Sequence, residues 1–323
     1  MGSIAVTGSV AYDTIMAFGG RFADHIISDQ THILNVSFLI DRIETRRGGT
    51  AANIAYNLAL FGERPLLCAA VGHDFVEYGA ALRATGVDTS ATMVCDDVST
   101  ATAFITTDAD DNQLTAFYPG AMSRAAAVDL GTLTGVEHVV VAPDAPDGMR
   151  RHVEQAARMG ARLVFAPAQQ LSGIDDQTLV EGLEAAWLVV GNDYEFEVIR
   201  RRTGRDAEAL AASGVTVART RGGEGSELRL GDAVHVVPVA ATDGVVDPVG
   251  AGDAYVAGLL HGLRSGRGPE VAARMGSLAA TYVIEQPGPQ GHHHTPGEFA
   301  ARYLRSFGQP LTESGAGLTV NPG

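Results

Sequence analysis

The chain contains no lysine, and all 23 of its basic residues are arginine. Chemistry that depends on a lysine side chain is therefore excluded. That removes the P-loop lysine, the strand lysine of protein kinases, and Schiff-base formation by aldolases and pyridoxal enzymes. Cysteine is nearly as scarce, with only Cys68 and Cys95 and no CxxC pair. A thiol zinc site and a disulfide framework are both excluded. Cys68 lies in the apolar run 66–71 and reads as a core thiol. No apolar run exceeds six residues, far short of a membrane span. Positive charge is also in deficit: 38 acidic residues give a net charge of −15. Such a chain repels phosphate backbones, so nucleic acid is excluded as a partner. The stretch from Met1 to Phe18 has no basic region and turns early at Gly8-Ser9, so no secretory leader is expected. With the cysteine usage, this predicts a reducing, cytoplasmic setting.

The 323 residues are 46% hydrophobic and 19% charged, with 39 glycines, the composition of a soluble α/β globule. Ile4-Ala5-Val6 predicts a buried strand closed by the turn at Gly8-Ser9. Residues 13–47 carry mixed short runs, such as Ile33 to Ile40. A helical face follows Gly48-Gly49, then a buried strand at 66–71 and a helix over 74–85. Two β-rich stretches around Asp110-Asp111-Asn112 predict a hairpin at 100–118. Strands at 137–142, 162–166, 186–190 and 215–219 then alternate with helices at 147–159, 175–184 and 193–202. That alternation predicts a parallel sheet covered on both faces. Residues 226–239 read as strand, and 252–265, 270–284 and 297–306 as helix. The tail 312–323 reads as frayed.

The most informative segment is Asp247-Pro248-Val249-Gly250-Ala251-Gly252-Asp253. Val256, Leu259, Leu260 and Leu263 follow at helical spacing, so the glycines open a helix. Its free N–H groups and dipole make an anion hole, with Asp253 at the mouth. A carboxylate placed there is repulsive unless it has a task, such as taking a proton from an attacking hydroxyl. Helix capping accounts for the segment equally well when it is read alone. Three further segments share the expected sheet edge. They are Asp13 after the first strand, Gly48-Gly49-Thr50-Ala51-Ala52-Asn53, and Asn192-Asp193-Tyr194-Glu195 after the strand ending near Val190. Open α/β sheets place ligands at that edge.

Taken together and in this order, these segments resemble the ribokinase-like (PfkB) small-molecule kinases over nearly the whole chain. Gly48 to Asn53 looks like the family's first signature, Asp247 to Asp253 like its second, and Asn192 to Glu195 like its magnesium motif. Within the family the chain looks most like actinobacterial adenosine kinases, through Val6 to Ser9, Phe117 to Ser123, Gln169-Gln170-Leu171 and Asn192 to Glu195. The resemblance implies a three-layer α/β/α sandwich with a mainly parallel central sheet and a small β lid. The large domain would comprise 1–12, 48–99 and 119–311, and the lid 13–47 and 100–118. It implies a phosphotransferase moving the γ-phosphate of Mg-ATP to the 5′-hydroxyl of a ribonucleoside, with adenosine first. Asp253 would be the base, and Gly250, Ala251 and Gly252 the anion hole. Asp13, Gly49 and Asn53 would hold the ribose. Ser9, Gln169 and Gln170 would meet the nucleobase, with Phe117 and Phe104 as aromatic partners. Thr220, Gly222, Gly225 and Asn192 would lie along the ATP. Asn192 and Glu195 would hold Mg²⁺ through water, and the family leaves room for K⁺. A homodimer through the lid is expected, carried by 33–40 and 102–107, with Ser37 or Phe38 reaching the partner's substrate.

The chain departs from the family in three places. Val249 stands where threonine is usual, and Ala166 where an aspartate precedes the glutamine pair. Ala103 stands where those adenosine kinases carry a stacking phenylalanine, with Phe104 one place later, on the opposite face of a strand. A sugar kinase acting on a ribose- or fructose-like substrate, or a kinase for another nucleoside, is the alternative. His292-His293-His294 reads as a solvated turn between glycine and proline, and Trp187 as core.

Overall fold

The computed structural model describes residues 2–25 and 36–311. In chain order the strands begin with β1 (Ser3–Thr7), β2 (Ala11–Ala17), β3 (Arg42–Gly48), β4 (Leu66–Cys68), β5 (Ala70–Gly72) and β6 (Met93–Cys95). They continue with β7 (Ala101–Thr107), β8 (Gln113–Tyr118), β9 (Val136–Val141), β10 (Arg162–Phe165), β11 (Ala186–Asn192), β12 (Thr216–Thr220), β13 (Ser226–Leu230) and β14 (Ala233–Val237). The helices are α1 (Thr50–Leu60), α2 (Val76–Thr85), α3 (Pro146–Met159), α4 (Asp176–Ala185), α5 (Asp193–Thr203), α6 (Ala207–Ala212), α7 (Ala251–Arg264), α8 (Pro269–Ile284) and α9 (Pro296–Phe307).

The main sheet runs β14-β13-β12-β11-β10-β9-β1-β4. Strands β12 to β4 are parallel, and the hairpin β13–β14 extends one edge antiparallel. Alternation along the strands divides the core into two. Ile4, Val6, Val140, Val164 and Leu188 pack under α1, α2, α7 and α8. Ala5, Val139, Val141, Leu163 and Phe165 pack under α3, α4, α5 and α6. Both faces are thus buried, which is why the strands read as continuous Val/Ile/Leu runs. The fold is the ribokinase-like α/β/α sandwich. Among the described residues no helix is long and apolar enough to cross a membrane.

A second sheet, β3-β2-β7-β8, stands apart. Its four strands come from 11–17, 42–48, 101–107 and 113–118. The hairpin at 100–118 is there, with Asp108 Oδ1 accepting from the amides of Asp110 and Asn112 in the turn. Strands β2 and β3 carry little alternating apolar pattern because much of this sheet faces solvent. The run 66–71 is two short strands, not one. β4 joins the main sheet, whereas β5 pairs with β6. The strand-like span 226–239 is a hairpin folded at Gly231-Asp232. Of the run 33–40, residues 33–35 lie outside the described residues, and 36–40 form no helix or strand. The tail 312–323 also lies outside them.

The histidine triplet differs from expectation. His292 and His294 are buried, and only His293 is exposed. His292 Nε2 donates to Asn57 Oδ1 at 2.9 Å, since that oxygen can only accept. The His294 ring packs 4.8 Å from Tyr282 and 4.9 Å from Phe299. The segment fills the gap between α1 and α9, a tertiary role that a Gly/Pro-flanked sequence does not announce. Burial pushes His138, His152, His292 and His294 each down to about 4. An unfolded histidine titrates near 6.5, so below that pH the unfolded chain binds more protons than the folded one. Stability is therefore lost as pH falls from about 6.5 toward 4. His294→Phe, which keeps a ring in place and removes one of these groups, should gain melting temperature relative to the wild type as pH falls from 7 to 5. A constant difference between the two proteins would contradict this account.

Candidate functional site

The carboxyl ends of the parallel strands deliver the predicted residues to one edge. Ser9 and Asp13 follow β1, Gln169 and Gln170 follow β10, Asn192 ends β11 and Thr220 ends β12. Asn192 and Thr220 are direct cross-strand neighbours. The second sheet lies over this edge. Arg46, Asp13, Ala103 and Phe117 form one row across it, all on one face.

The paired glycines before α1 have separate reasons. A Cβ at Gly48 would come within 2.7 Å of Asp13 Oδ2, so this position makes room for the carboxylate. Gly49 holds φ +91°, and a Cβ there would strike the backbone of Ser9, Val10 and Ala11 at 2.6 Å. Only glycine fits. Ser9 is tied to the helix it precedes. Its Oγ accepts from Thr50 N at 3.1 Å and shares a 3.1 Å contact with Thr50 Oγ1. Burial and the nearby Asp247 raise the Asp13 carboxyl, while Arg46 pulls it back.

Asp253 sits in the first turn of α7, behind the left-handed Gly250 at φ +85°. Asn53 Nδ2 donates to Asp253 Oδ2 at 2.8 Å, joining the two signature segments 200 residues apart. Burial pushes the Asp253 carboxyl up to about 7, with the Asn53 hydrogen bond opposing. A proton acceptor poised near neutrality is the tuning that general-base chemistry uses.

Three cavities meet here. One of about 680 Å³ is lined by Ser9, Asp13, Gly49, Asn53, Phe117, Gln169, Gln170, Gly250, Gly252 and Asp253. A second, about 360 Å³, is lined by Thr220, Gly222, Gly225, Ala251 and Gly252. A small third one holds Asn192, Glu195, Thr220, Gly252 and Asp253. Gly252 lines all three, and a Cβ there would meet no protein atom within 4 Å. Internal packing does not demand glycine at that position.

Asn192 and Glu195 form a capping box on α5. Asn192 Oδ1 accepts from Glu195 N, Glu195 Oε2 accepts from Asn192 N, and Asn192 Nδ2 donates to Glu195 Oε1, each at 2.9 Å. Burial raises the Glu195 carboxyl, against the backbone hydrogen bond from Asn192. Among the described residues no cluster of three His, Cys, Asp or Glu could hold a metal directly. One carboxylate and one amide beside Asp253 nevertheless fit Mg²⁺, which keeps most of its waters and takes other oxygens from phosphates.

Phe104 does not join the site. Strand β7 pairs in unbroken register, Asp13 with Ala103 and Thr14 with Phe104, so Phe104 points to the opposite face from Asp13 and Phe117. The expectation that it contacts substrate is corrected on that ground. Gln170 Nε2 gives one of its two hydrogens to the Asp144 carbonyl at 2.5 Å. Sequence reasoning missed Asp144, which lines the large cavity. It is 2% exposed, and its Oδ2 has no hydrogen-bond partner among the described residues. The one sequence signal for it is its position after β9, on the same edge as the other segments.

Burial pushes the Asp144 carboxyl up to about 8, with Asp147 adding to the rise. Unfolded, it titrates near 3.9, so between about 4 and 8 the folded chain holds the extra proton. Its contribution is intact below that window and is lost as pH rises through it. Asp144→Asn should therefore melt increasingly above the wild type from pH 5 to pH 8. Parallel pH dependence in the two proteins would overturn this assignment.

Comparison with known proteins agrees with this geometry. Residues 9–296 match the pfkB family carbohydrate kinase profile. A nucleoside kinase of Methanothermobacter thermautotrophicus is 31% identical over 300 residues, covering 91% of this chain and 96% of that protein. A nucleoside kinase of Burkholderia thailandensis, solved in complex with inosine, is 36% identical with a TM-score of 0.85, covering 95% of this chain and 99% of that one. Its structure with ADP-inosine gives a TM-score of 0.84. The Methanocaldococcus jannaschii nucleoside kinase, 26% identical, also reaches 0.85, over 94% of this chain and 99% of its own. The expected likeness to actinobacterial adenosine kinases broadens, on these relatives, to nucleoside kinases. With both signatures in place at one sheet edge and the family profile spanning most of its length, the chain belongs to the pfkB family of carbohydrate kinases.

Proposed function

We propose that the chain is an ATP-dependent nucleoside kinase that phosphorylates the 5′-hydroxyl of a purine ribonucleoside, adenosine first. The observation that carries this reading is the large cavity, which combines Asp253 with the aromatic Phe117 and the amides of Gln169 and Gln170. A bare sugar needs hydroxyl partners only. The inosine complexes of the B. thailandensis relative support a purine, and inosine is the second acceptor we expect.

In this reading Asp13, Gly49 and Asn53 hold the ribose. Asn53 occupies Asp253 Oδ2, so Oδ1 is left for the 5′-hydroxyl. Asp253 takes the hydroxyl proton as the oxygen attacks the γ-phosphorus. The bond to the β-phosphate oxygen breaks, and ADP leaves. Charge developing on the transferred group falls before the free amides of the α7 first turn, where the helix dipole favours it. ATP lies in the second cavity, along Thr220, Gly222 and Gly225. Mg²⁺, when bound, neutralises phosphate charge, and Asn192 and Glu195 would hold it through water. Backbone amides would serve where other kinases use lysine, consistent with a chain that has none.

The four-stranded sheet acts as the lid in this reading, and its outer face is the dimer contact. Ile43, Phe104 and Leu114 lie on that face and are 66%, 40% and 48% exposed. Exposed apolar patches and open edge strands are usually covered. Phe38 packs 4.9 Å from both Phe18 and Phe22 of its own chain, which leaves Ser37 the better candidate to reach a partner.

Kinetics with Mg-ATP should give adenosine and inosine a far higher kcat/KM than ribose or fructose. Asp253→Asn should lower kcat by ~10²–10⁴, the usual loss on removing a positioned base. Preference for a free sugar, or near-native turnover in the variant, would refute the reading. Sedimentation at micromolar concentration should show a dimer that Leu114→Asp weakens; a single 33.6 kDa species in the wild type would refute the dimer.

A further inference from the structure

The Asn53 side chain can face Asp253 with either its nitrogen or its oxygen, and only the nitrogen attracts a carboxylate. What selects the orientation lies behind it. Asn53 Oδ1 accepts from Gln290 Nε2 at 2.9 Å. The same nitrogen donates to Tyr78 Oη at 2.6 Å. Tyr78 Oη in turn donates to the Gly48 carbonyl at 2.8 Å.

This chain has a direction. A backbone carbonyl can only accept, so Tyr78 must spend its proton on Gly48. The tyrosine oxygen can then only accept, so Gln290 must present nitrogen to it. The second N–H of that nitrogen requires oxygen from Asn53, which leaves the Asn53 nitrogen for Asp253. Every link is fixed by the one before it. Tyr78 is fully buried, and burial drives its hydroxyl pKa up, so it stays a donor throughout the working pH range.

We infer that Gln290 and Tyr78 are positioning residues for Asp253, holding the Asn53 amide nitrogen toward its carboxylate by an ordered hydrogen-bond chain that starts at the Gly48 carbonyl. The inference rests on the reading of Asp253 as the base. Neither residue belongs to the signature segments, and Gln290 is 237 positions from Asn53. The anchor of the chain, Gly48, is the last residue of β3, and Arg47 beside it lies 5.8 Å over the Tyr78 ring. The sheet above the cavity and the proposed base thus share one line of hydrogen bonds. The other charged groups around the cavities remain in all variants below: Asp13 and Arg46 on the second sheet, Asp144 before α3, Glu195 on α5 and Asp247 before α7.

Gln290→Met keeps the length of the side chain and deletes the donor. It should lower kcat on the order of tenfold with little change in the KM for ATP, because Asn53 loses its preferred orientation. The acid limb of the pH–rate profile should move up by about one unit as the carboxylate loses its donor. Tyr78→Phe keeps the ring and should move both quantities the same way by less. Added to Gln290→Met it should cost nothing more, since the chain is already broken. Wild-type kcat and acid limb in Gln290→Met, or additive losses in the double variant, would overturn the inference. The Asp253 carboxyl carbon, identified by difference against Asp253→Asn, can also be titrated by NMR without substrate. An upward shift in Gln290→Met supports the chain even if no nucleoside is turned over, and an unchanged titration refutes it.

Discussion

A single hydrogen bond organises the site: Asn53 Nδ2 to Asp253 Oδ2, 2.8 Å long. It ties the start of α1 to the start of α7, two helices packed on the same face of the main sheet. Both helices open on glycine because both positions hold positive φ and leave no room for a Cβ. Gly49 is pressed against Ser9 to Ala11, and a Cβ at Gly250 would lie 2.4 Å from the Pro289 side chain. The two N-termini therefore converge, and the carboxylate between them loses water. Desolvation raises its proton affinity, and one amide stops it rising further.

Around that bond the fold separates two cavities and leaves one opening between them. Gly252 is the opening. A Cβ there would meet no protein atom within 4 Å, yet it would project where all three cavities join. The capping box of Asn192 and Glu195 stands at the third. Capping and chemistry are not alternatives at such a position. The reciprocal hydrogen bonds that cap the start of α5 also hold the Glu195 carboxylate still, which is what the proposed ion, held through water, would require.

The sequence announces the main sheet because a parallel sheet buried on both faces imposes long apolar runs. It announces the two signature segments because clustered glycines directly before an apolar helical stripe mark backbone that something must approach closely. The second sheet is less legible. Arg42–Gly48 carries one isoleucine among charged residues, and its pairing with β2 is decided by tertiary contact. Phe104 is misleading because family likeness suggests a phenylalanine near that position, whereas strict alternation along β7 decides the face. Asp144, Tyr78 and Gln290 are invisible for a different reason. Each is an ordinary residue whose significance lies in one partner more than 20 positions away, or in the lack of one. Single-sequence patterning carries no record of such pairs.

The central claim is that Asp253 stands between two bound ligands at the Gly252 opening. A crystal structure with a purine ribonucleoside and ADP tests it most directly. The account predicts the nucleoside 5′-oxygen within hydrogen-bonding distance of Asp253 Oδ1, the ribose against Asp13, and the β-phosphate directed at the first turn of α7. A nucleoside bound with its base toward Asp253, or a nucleotide seated outside the cavity of Thr220 and Gly225, would contradict it.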